Sequence, residues 1–162
     1  MSVLGAELYQ YRLPLTAPLR VNGAELHERE GLILRIESRT GAGLGEIAPL
    51  PGASAETFAE AKASAIQWVG RLVGAPLPLK PVELAGGPEA WAAVPRSVQF
   101  GVSTAAAMLK AAGRAGRGRI FAPGHRPDVA LNALIVEHGA VAVERAREAV
   151  ASGYRTLKIK VG

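Results

Sequence analysis

The fold is decided by TLKIKVG, residues 156–162, in which apolar and basic side chains alternate with the period of a β-strand. A helical pattern precedes it over residues 141–153, VAVERAREAVASG, and ends at a glycine. Before that helix comes a short apolar run, VALNALI, residues 129–135. Strand, helix and strand within about thirty residues predict a βαβ unit, whose two strands are parallel.

Two lysines, Lys158 and Lys160, project from one face of the last strand, roughly 6.7 Å apart. If that face lines the mouth of a parallel barrel, the charge of Lys158 and the poor solvation favour neutral Lys160, which can then accept a proton near neutral pH. If the face is exposed to water, the pair belongs to an ordinary solvated strand, because alternating lysine also protects exposed sheet edges. The spacing alone leaves both interpretations open.

The first third of the sequence predicts an antiparallel meander. Residues 3–13 read as one strand, and GLILRIES, residues 31–38, alternates apolar and polar side chains as a second. A glycine-rich turn over residues 39–43 then reverses the chain, so that LGEIAPL, residues 44–50, returns beside the second strand. Glu46 lies in this third strand, where we expect a structural role.

Two helices follow in the sequence pattern. Ser54 is the predicted cap of the first helix, which runs to about Leu72 with Trp68 in the core. Five prolines over residues 75–95 predict an irregular surface connection. The second helix is predicted from Arg96 to Ala112. Its small residues permit close packing: they are Gly101, Ser103 and Ala107.

Composition excludes several classes of protein. With 162 residues, 49% of them hydrophobic, the chain can bury a sizeable core, and no window approaches the roughly 20 apolar residues of a membrane span. The start has no basic region followed by an apolar one, so we expect a soluble, cytoplasmic protein. The absence of cysteine excludes disulfides and thiolate metal ligands.

The basic residues do not indicate a nucleic-acid partner. The net charge of +5 arises from 19 basic and 14 acidic residues spread along the chain. GRAGRGR, residues 113–119, has no aromatic side chain on which a base could stack, so we expect a solvated loop. His27, His125 and His138 fall in separate predicted connections, which favours surface positions over a shared metal site.

Four segments, in their order along the chain, resemble the o-succinylbenzoate synthases of the enolase superfamily. They are GEIAPLPG at 45–52, PRSVQFGVSTA at 95–105, LNALI at 131–135 and GYRTLKIKVG at 153–162. The resemblance covers nearly the whole chain but only the N-terminal portion of the family's architecture. It implies an α+β capping domain over residues 1–125, followed over residues 126–162 by the first βαβ unit of a truncated TIM-like (β/α)7β barrel.

The resemblance also implies a reaction, which is a Mg²⁺-dependent syn-dehydration through an enediolate in menaquinone biosynthesis. The substrate is a small carboxylate, a cyclohexadiene carboxylate with a succinyl side chain and a ring hydroxyl. Lys160 corresponds to the general base that later acts as the acid, and Lys158 tunes its basicity and attracts the substrate carboxylate. The matching substrate-binding positions are Pro18, Leu19, Arg20, Leu50, Pro51 and Gly52, with Arg20 on the succinyl carboxylate.

The carboxylates that bind Mg²⁺ in the family, and its second catalytic lysine, lie on later barrel strands that this sequence does not contain. We therefore expect no metal ligand in this chain and no activity from the chain alone. An uncovered strand edge bearing Leu157, Ile159 and Val161 predicts self-association or pairing with the missing part of the barrel. Where many relatives have a phenylalanine, this chain has Ala53, which changes the substrate-facing surface.

Two other functions stay open from the sequence. N-succinylamino acid racemase and dipeptide epimerase belong to the same superfamily and use paired lysines in the same way. A non-catalytic binding or interaction module is the alternative from another class of protein.

Overall fold

An antiparallel sheet forms the first part of the computed structural model, which describes residues 1–113 and 128–160. The chain divides into two units, Met1–Phe121 and Ala122–Gly162. The predicted domain boundary at residue 125 and most of the basic segment 113–119 lie outside the described residues. In the part of the chain that is described, no helix is long and apolar enough to cross a membrane.

The sheet of the first unit has three strands in the order β1 (Gly5–Val21), β2 (Ala24–Ser38) and β3 (Gly41–Ile47). All neighbours are antiparallel, so the predicted meander is confirmed. The turn between β2 and β3 is shorter than predicted, because β2 ends at Ser38 and β3 already begins at Gly41.

The hairpin of β1 and β2 is longer than predicted. β1 continues to Val21 instead of ending near residue 13, with an irregular register between Pro14 and Leu19. Asn22 and Gly23 connect the strands, with φ angles of 46° and 83°. Asn-Gly supplies the two positive φ angles that a tight two-residue hairpin turn requires, so this dipeptide was the signal for the extension.

Four helices follow the sheet, and the core lies between them and one sheet face. Leu32, Leu34 and Ile36 of β2 are at most 2% exposed, as their alternation predicts. The helices are α1 (Phe58–Leu72), α2 (Pro81–Ala85), α3 (Pro88–Ala92) and α4 (Arg96–Ala112). The segment 75–95, predicted as an irregular connection, therefore contains two short helices and is irregular elsewhere. Proline opens both α2 and α3, at a position where its missing N–H costs no hydrogen bond.

Helix α1 begins three residues later than a cap at Ser54 would place it. Its N-cap is Thr57, whose hydroxyl accepts from the Glu60 N–H at 3.2 Å while the Glu60 carboxylate accepts from the Thr57 N–H at 2.8 Å. This reciprocal capping box satisfies two otherwise unpaired donors. Trp68 is buried as predicted, and its ring meets that of Trp91 edge to face at 5.4 Å, which fixes α3 against α1.

Glycines allow α4 to lie directly on β3. A methyl group on Gly45 would overlap the carbonyl oxygen of Gly101, and one on Gly43 would overlap that of Ala105. The predicted role of Gly101 in close packing is confirmed, but Ser103 and Ala107 are exposed and take no part in it. The helix and the strand thus approach each other through their backbones.

The N-terminus of α4 is capped by a residue distant in sequence. Its own N-cap, Pro95, has no side-chain acceptor, and Glu56 instead accepts from the Ser97 N–H at 2.8 Å. Burial acts to raise the pKa of Glu56, but the hydrogen bond from the Ser97 N–H, together with smaller effects such as the charge of Arg96, outweighs it and leaves the pKa below its ordinary value. The carboxylate therefore ties the loop before α1 to α4.

We expect Glu56→Gln to lower the free energy of unfolding by about 1 kcal/mol at pH 7. Because folding lowers the pKa of Glu56, its contribution is complete above the unfolded value of 4.5 and is lost as the pH falls through the folded value. Urea unfolding at pH 7 and at about pH 3 tests this linkage. Glu89→Gln, an exposed glutamate of α3, is the control; a deficit in Glu56→Gln that persists undiminished in acid would contradict the assignment.

The second unit contains a parallel strand pair and the helix between its strands. The elements are β4 (Ala133–Ile135), α5 (Gly139–Ala151) and β5 (Leu157–Ile159). Ala133 pairs with Leu157 and Ile135 with Ile159, which confirms the predicted parallel pairing. Both strands are shorter than the apolar runs suggested. Leu134 and Ile159 are 56% and 54% exposed within this unit.

Candidate functional site

The two predicted substrate-binding segments meet at the tip of the β1–β2 hairpin. The Asn22 side-chain amide donates to the carbonyl oxygen of Gly52 at 2.7 Å. Leu19 and Arg20 lie just before this tip, in β1, and not in a loop after the first strand as predicted. The structure therefore brings the Leu19–Arg20 segment close to the segment that contains Leu50, Pro51 and Gly52.

The residues after β3 form a closed turn over 50–54, named loop 50–54 below. The Leu50 carbonyl accepts from the N–H groups of Ala53 and Ser54, at 3.0 and 2.8 Å. Ser54, predicted as a helix cap, instead accepts from the Leu50 N–H at 2.9 Å. Gly52 has φ 81°, and a Cβ there would lie 2.5 Å from the carbonyl oxygen of Val21, so only glycine fits.

Arg29 holds the chain that leads into loop 50–54, a role that the sequence analysis missed. Its guanidinium donates to the carbonyl oxygens of Ala48 and Pro49, at 3.1 and 3.2 Å. The fork of guanidinium donors suits two neighbouring carbonyls, and a lysine could not reproduce it. Arg29 is partly buried on β2, so the hairpin fixes this segment from its flank.

Tyr11 and Glu46 link the outer strands across β2. The Tyr11 hydroxyl donates to Glu46 at 2.6 Å, and its ring lies over Gly31, where a Cβ would overlap it. Burial and then the Glu46 hydrogen bond raise the pKa of Tyr11 to about 12, so the phenol stays protonated. Glu46 thus has the structural role expected for it.

Arg20 is paired at the surface. Its Nε atom lies 2.9 Å from a carboxylate oxygen of Glu25, and the Arg20 side chain is 83% exposed. The other oxygen of Glu25 lies 3.3 Å from the Nε2 atom of His27. An exposed pair of this kind contributes at most about 1 kcal/mol, so a bound carboxylate can compete with Glu25 for Arg20.

The two lysines lie at the carboxyl end of the parallel strand pair. Lys158 is opposite Leu134 in β5, and Lys160 follows the strand, donating its backbone N–H to the carbonyl oxygen of Ile135 at 2.9 Å. Both side chains are exposed within the second unit. This geometry agrees with either interpretation of the pair, so the roles of Lys158 and Lys160 stay predictions.

The structure describes two of the three histidines, which were expected at surface positions in separate connections. His27 lies in β2, not in a connection, and His138 precedes α5; both are exposed. His125 lies outside the described residues. Within residues 1–113 and 128–160, no three side chains of histidine, cysteine, aspartate or glutamate are grouped so that they could hold a metal ion. These residues therefore do not fit a Mg²⁺ site.

Known proteins match this fold over the whole chain. A dipeptide epimerase from Enterococcus faecalis V583, crystallised with Mg and a dipeptide, superposes with a TM-score of 0.80 at 20% identity. It covers 100% of this chain, which covers 46% of it. The o-succinylbenzoate synthase from Thermosynechococcus elongatus BP-1, complexed with Mg in its active site, gives a TM-score of 0.63 at 30% identity, over 98% of this chain and 43% of that one.

Sequence comparison gives the family. The model described as "MenC, N-terminal domain" matches residues 3–109. The o-succinylbenzoate synthase of Haemophilus influenzae is 40% identical over 103 residues, which are 64% of this chain and 29% of that protein. The chain thus spans less than half the length of these relatives. Its antiparallel sheet with helices fits a capping domain, and its structural neighbours belong to the enolase superfamily. Within that superfamily, the chain belongs to the MenC N-terminal domain family.

Proposed function

We propose that this chain is the N-terminal part of an o-succinylbenzoate synthase, a carbon–oxygen lyase. The observation that carries the proposal is the family match over residues 3–109, together with Lys158 and Lys160 at the carboxyl end of a parallel strand. Carboxyl strand ends are where barrel enzymes keep their catalytic groups. Residues 126–162 would then be the beginning of such a barrel.

Lys160 would act twice in the reaction. As a neutral amine it removes the proton next to the substrate carboxylate, and as the resulting ammonium it protonates the departing hydroxyl on the same face. One residue thereby completes a syn elimination of water, which leaves an aromatic ring. The positive charge of Lys158 would attract the substrate carboxylate.

A divalent metal ion would neutralise the charge that develops on the substrate carboxylate. Magnesium is present in the active site of the Thermosynechococcus elongatus synthase. Since the described residues of this chain do not fit a metal site, its ligands would come from barrel strands beyond this sequence. Here the chain's own contribution is restricted to the lysine pair and to the substrate-binding surface of the cap.

Arg20 would bind the succinyl carboxylate. Its guanidinium is exposed and held by a surface pair with Glu25, which a substrate carboxylate would replace. Leu19 and loop 50–54, through Leu50, Pro51 and Gly52, would supply the surrounding apolar contacts.

The second unit would be completed by further parallel strands of the same barrel. Parallel sheets are found with both faces covered, whereas Leu134 and Ile159 are exposed within this unit. We therefore expect the 162-residue chain on its own to self-associate, and sedimentation velocity tests this. A monodisperse, folded monomer at about 100 μM would contradict it.

The function is tested by comparing two purified proteins: residues 1–162, and the same residues joined to the later barrel strands of the Thermosynechococcus elongatus synthase. We expect Mg²⁺-dependent dehydration of the cyclohexadiene carboxylate by the joined protein only. Product formed by residues 1–162 alone, above a Lys160→Ala control, would disprove the need for the barrel. Racemisation of N-succinylamino acids or dipeptides without dehydration would disprove the synthase assignment.

A further inference from the structure

We infer that Asn22 is a positioning residue, which fixes loop 50–54 to the β1–β2 hairpin so that the two halves of the substrate surface behave as one rigid body. The inference rests on the proposed function for the use of that surface. Its structural basis is the hydrogen bond from the Asn22 side chain to the Gly52 carbonyl, at 2.7 Å.

Both partners of this hydrogen bond have backbone conformations specific to the contact. Among the described residues Asn22 is the non-glycine residue with a positive φ, 46°, and this conformation forms the hairpin turn. Gly52 has φ 81°, and its Cα lies so close to the Val21 carbonyl that no side chain fits between them. Asparagine and glycine are the residues that adopt such angles at least cost. The backbone conformations at Asn22 and Gly52 therefore allow the hairpin turn and loop 50–54 to approach within hydrogen-bond distance.

Loop 50–54 is hydrogen-bonded on its remaining sides. Its own N–H groups and the Ser54 hydroxyl close it into a turn, and Arg29 holds the two carbonyls that precede it. The Asn22 amide is thus the contact that connects the far side of the turn with the hairpin tip. Among the described residues, the other side-chain hydrogen bonds from the hairpin to this part of the chain are those of Arg29 to Ala48 and Pro49.

The consequence concerns Arg20, two residues before Asn22. In β1, Arg20 lies opposite Glu25 and Leu19 lies opposite Leu26. The strand pairing therefore fixes the backbone positions of Arg20 and Leu19. A rigid contact at Gly52 would then keep Leu50 and Pro51 at a constant distance from the backbone of Arg20. Such preorganisation avoids the entropic cost of ordering the surface when substrate binds.

Two substitutions isolate the amide. Asn22→Gly removes the donor and keeps the positive φ, so the hairpin turn survives. Asn22→Asp also tolerates this φ but turns a carboxylate oxygen, which cannot donate, towards the Gly52 carbonyl. The matched control is Arg12→Gln, which removes surface pairs with Glu28 and Glu30 in the same hairpin.

The first measurement is a distance between two nitroxide labels, at Pro18→Cys and Ala53→Cys. The chain contains no cysteine, so these are the only labelled sites. Pulsed electron paramagnetic resonance should give one narrow distance distribution in the labelled protein with Asn22 and in its Arg12→Gln variant. The distribution should be clearly broader in both Asn22 variants. Equal widths with and without the Asn22 amide would overturn the inference.

The second measurement uses the joined protein described above. Loss of one hydrogen bond should raise KM for the cyclohexadiene carboxylate about fivefold and leave kcat within about twofold, because Asn22 touches no reacting atom. A matching fall in kcat with unchanged KM would contradict a positioning role. If the joined protein has no activity, the proposed function fails while the label distances still decide the role of Asn22. If the distances do not change but the enzyme works, only the role of Asn22 is wrong.

Discussion

Replacing Gly45 by alanine is expected to destabilise the first unit by at least about 3 kcal/mol, the largest stability effect that we predict. The added methyl group would overlap the carbonyl oxygen of Gly101 in α4. That oxygen belongs to a helix backbone, so it cannot rotate away as a side chain could. Helix α4 would have to move off β3, which would separate buried Val98 and Val102 from the sheet.

Gly70→Ala is the matched control, since it adds the same methyl group to a glycine in α1. No atom lies within 4 Å of a Cβ at Gly70, so the substitution should stabilise the protein by about 0.5–1 kcal/mol through helix propensity. Urea unfolding followed by tryptophan fluorescence measures both, because Trp68 and Trp91 lie in this unit. Equal changes in the two variants would show that the contact at Gly45 relaxes easily.

Helices with clear boundaries could be predicted from the sequence alone. The bounds of α4, Arg96 and Ala112, were predicted correctly, because an apolar period of helical spacing is enclosed by Pro95 and Gly113. The start of α1 was missed because the sequence offers two possible N-caps, Ser54 and Thr57. Thr57 is the stronger cap, since Glu60 bonds back to it in a capping box.

Prolines occur in two regions whose structure was not predicted correctly. β1 continues through Pro14 and Pro18 instead of ending near residue 13, because it is an edge strand of the described sheet, where a missing donor costs little. In residues 75–95, Pro81 and Pro88 start helices instead of interrupting them. The same residue type thus has a different meaning at an edge, at a helix start and in a loop.

From the sequence, only those residues of the candidate site could be predicted whose charged side chains would themselves contact substrate. Arg20 and the lysines attract notice as charges, whereas Asn22 and Arg29 act on backbone carbonyls. Those carbonyls are brought within reach only when the hairpin is folded, and no sequence spacing encodes that approach. The Asn22–Gly23 dipeptide was the one local signal, and it indicates the turn but not the contact with Gly52.

Lys160→Ala in the joined protein is expected to lower kcat by about a thousandfold, the largest effect on activity that we predict. The substitution removes the group that takes the proton and then returns it to the leaving hydroxyl, so both steps of the elimination lose their catalyst. Substrate binding depends on other groups, so KM should change far less than kcat. Steady-state dehydration kinetics with saturating Mg²⁺ measure the two parameters separately.

Three further variants distinguish a base from a mere positive charge. Lys160→Arg keeps the charge but cannot become neutral, so it should be as inactive as Lys160→Ala. Lys158→Ala should keep more activity than Lys160→Ala and raise KM, because it removes a charge that attracts the substrate carboxylate but not the group that transfers the proton. Lys80→Ala, which removes an exposed lysine paired with Glu83, should leave the kinetics unchanged. If Lys160→Arg retained most of the activity, the lysine would act only through its charge, and the proton would have to be removed by another residue of the barrel.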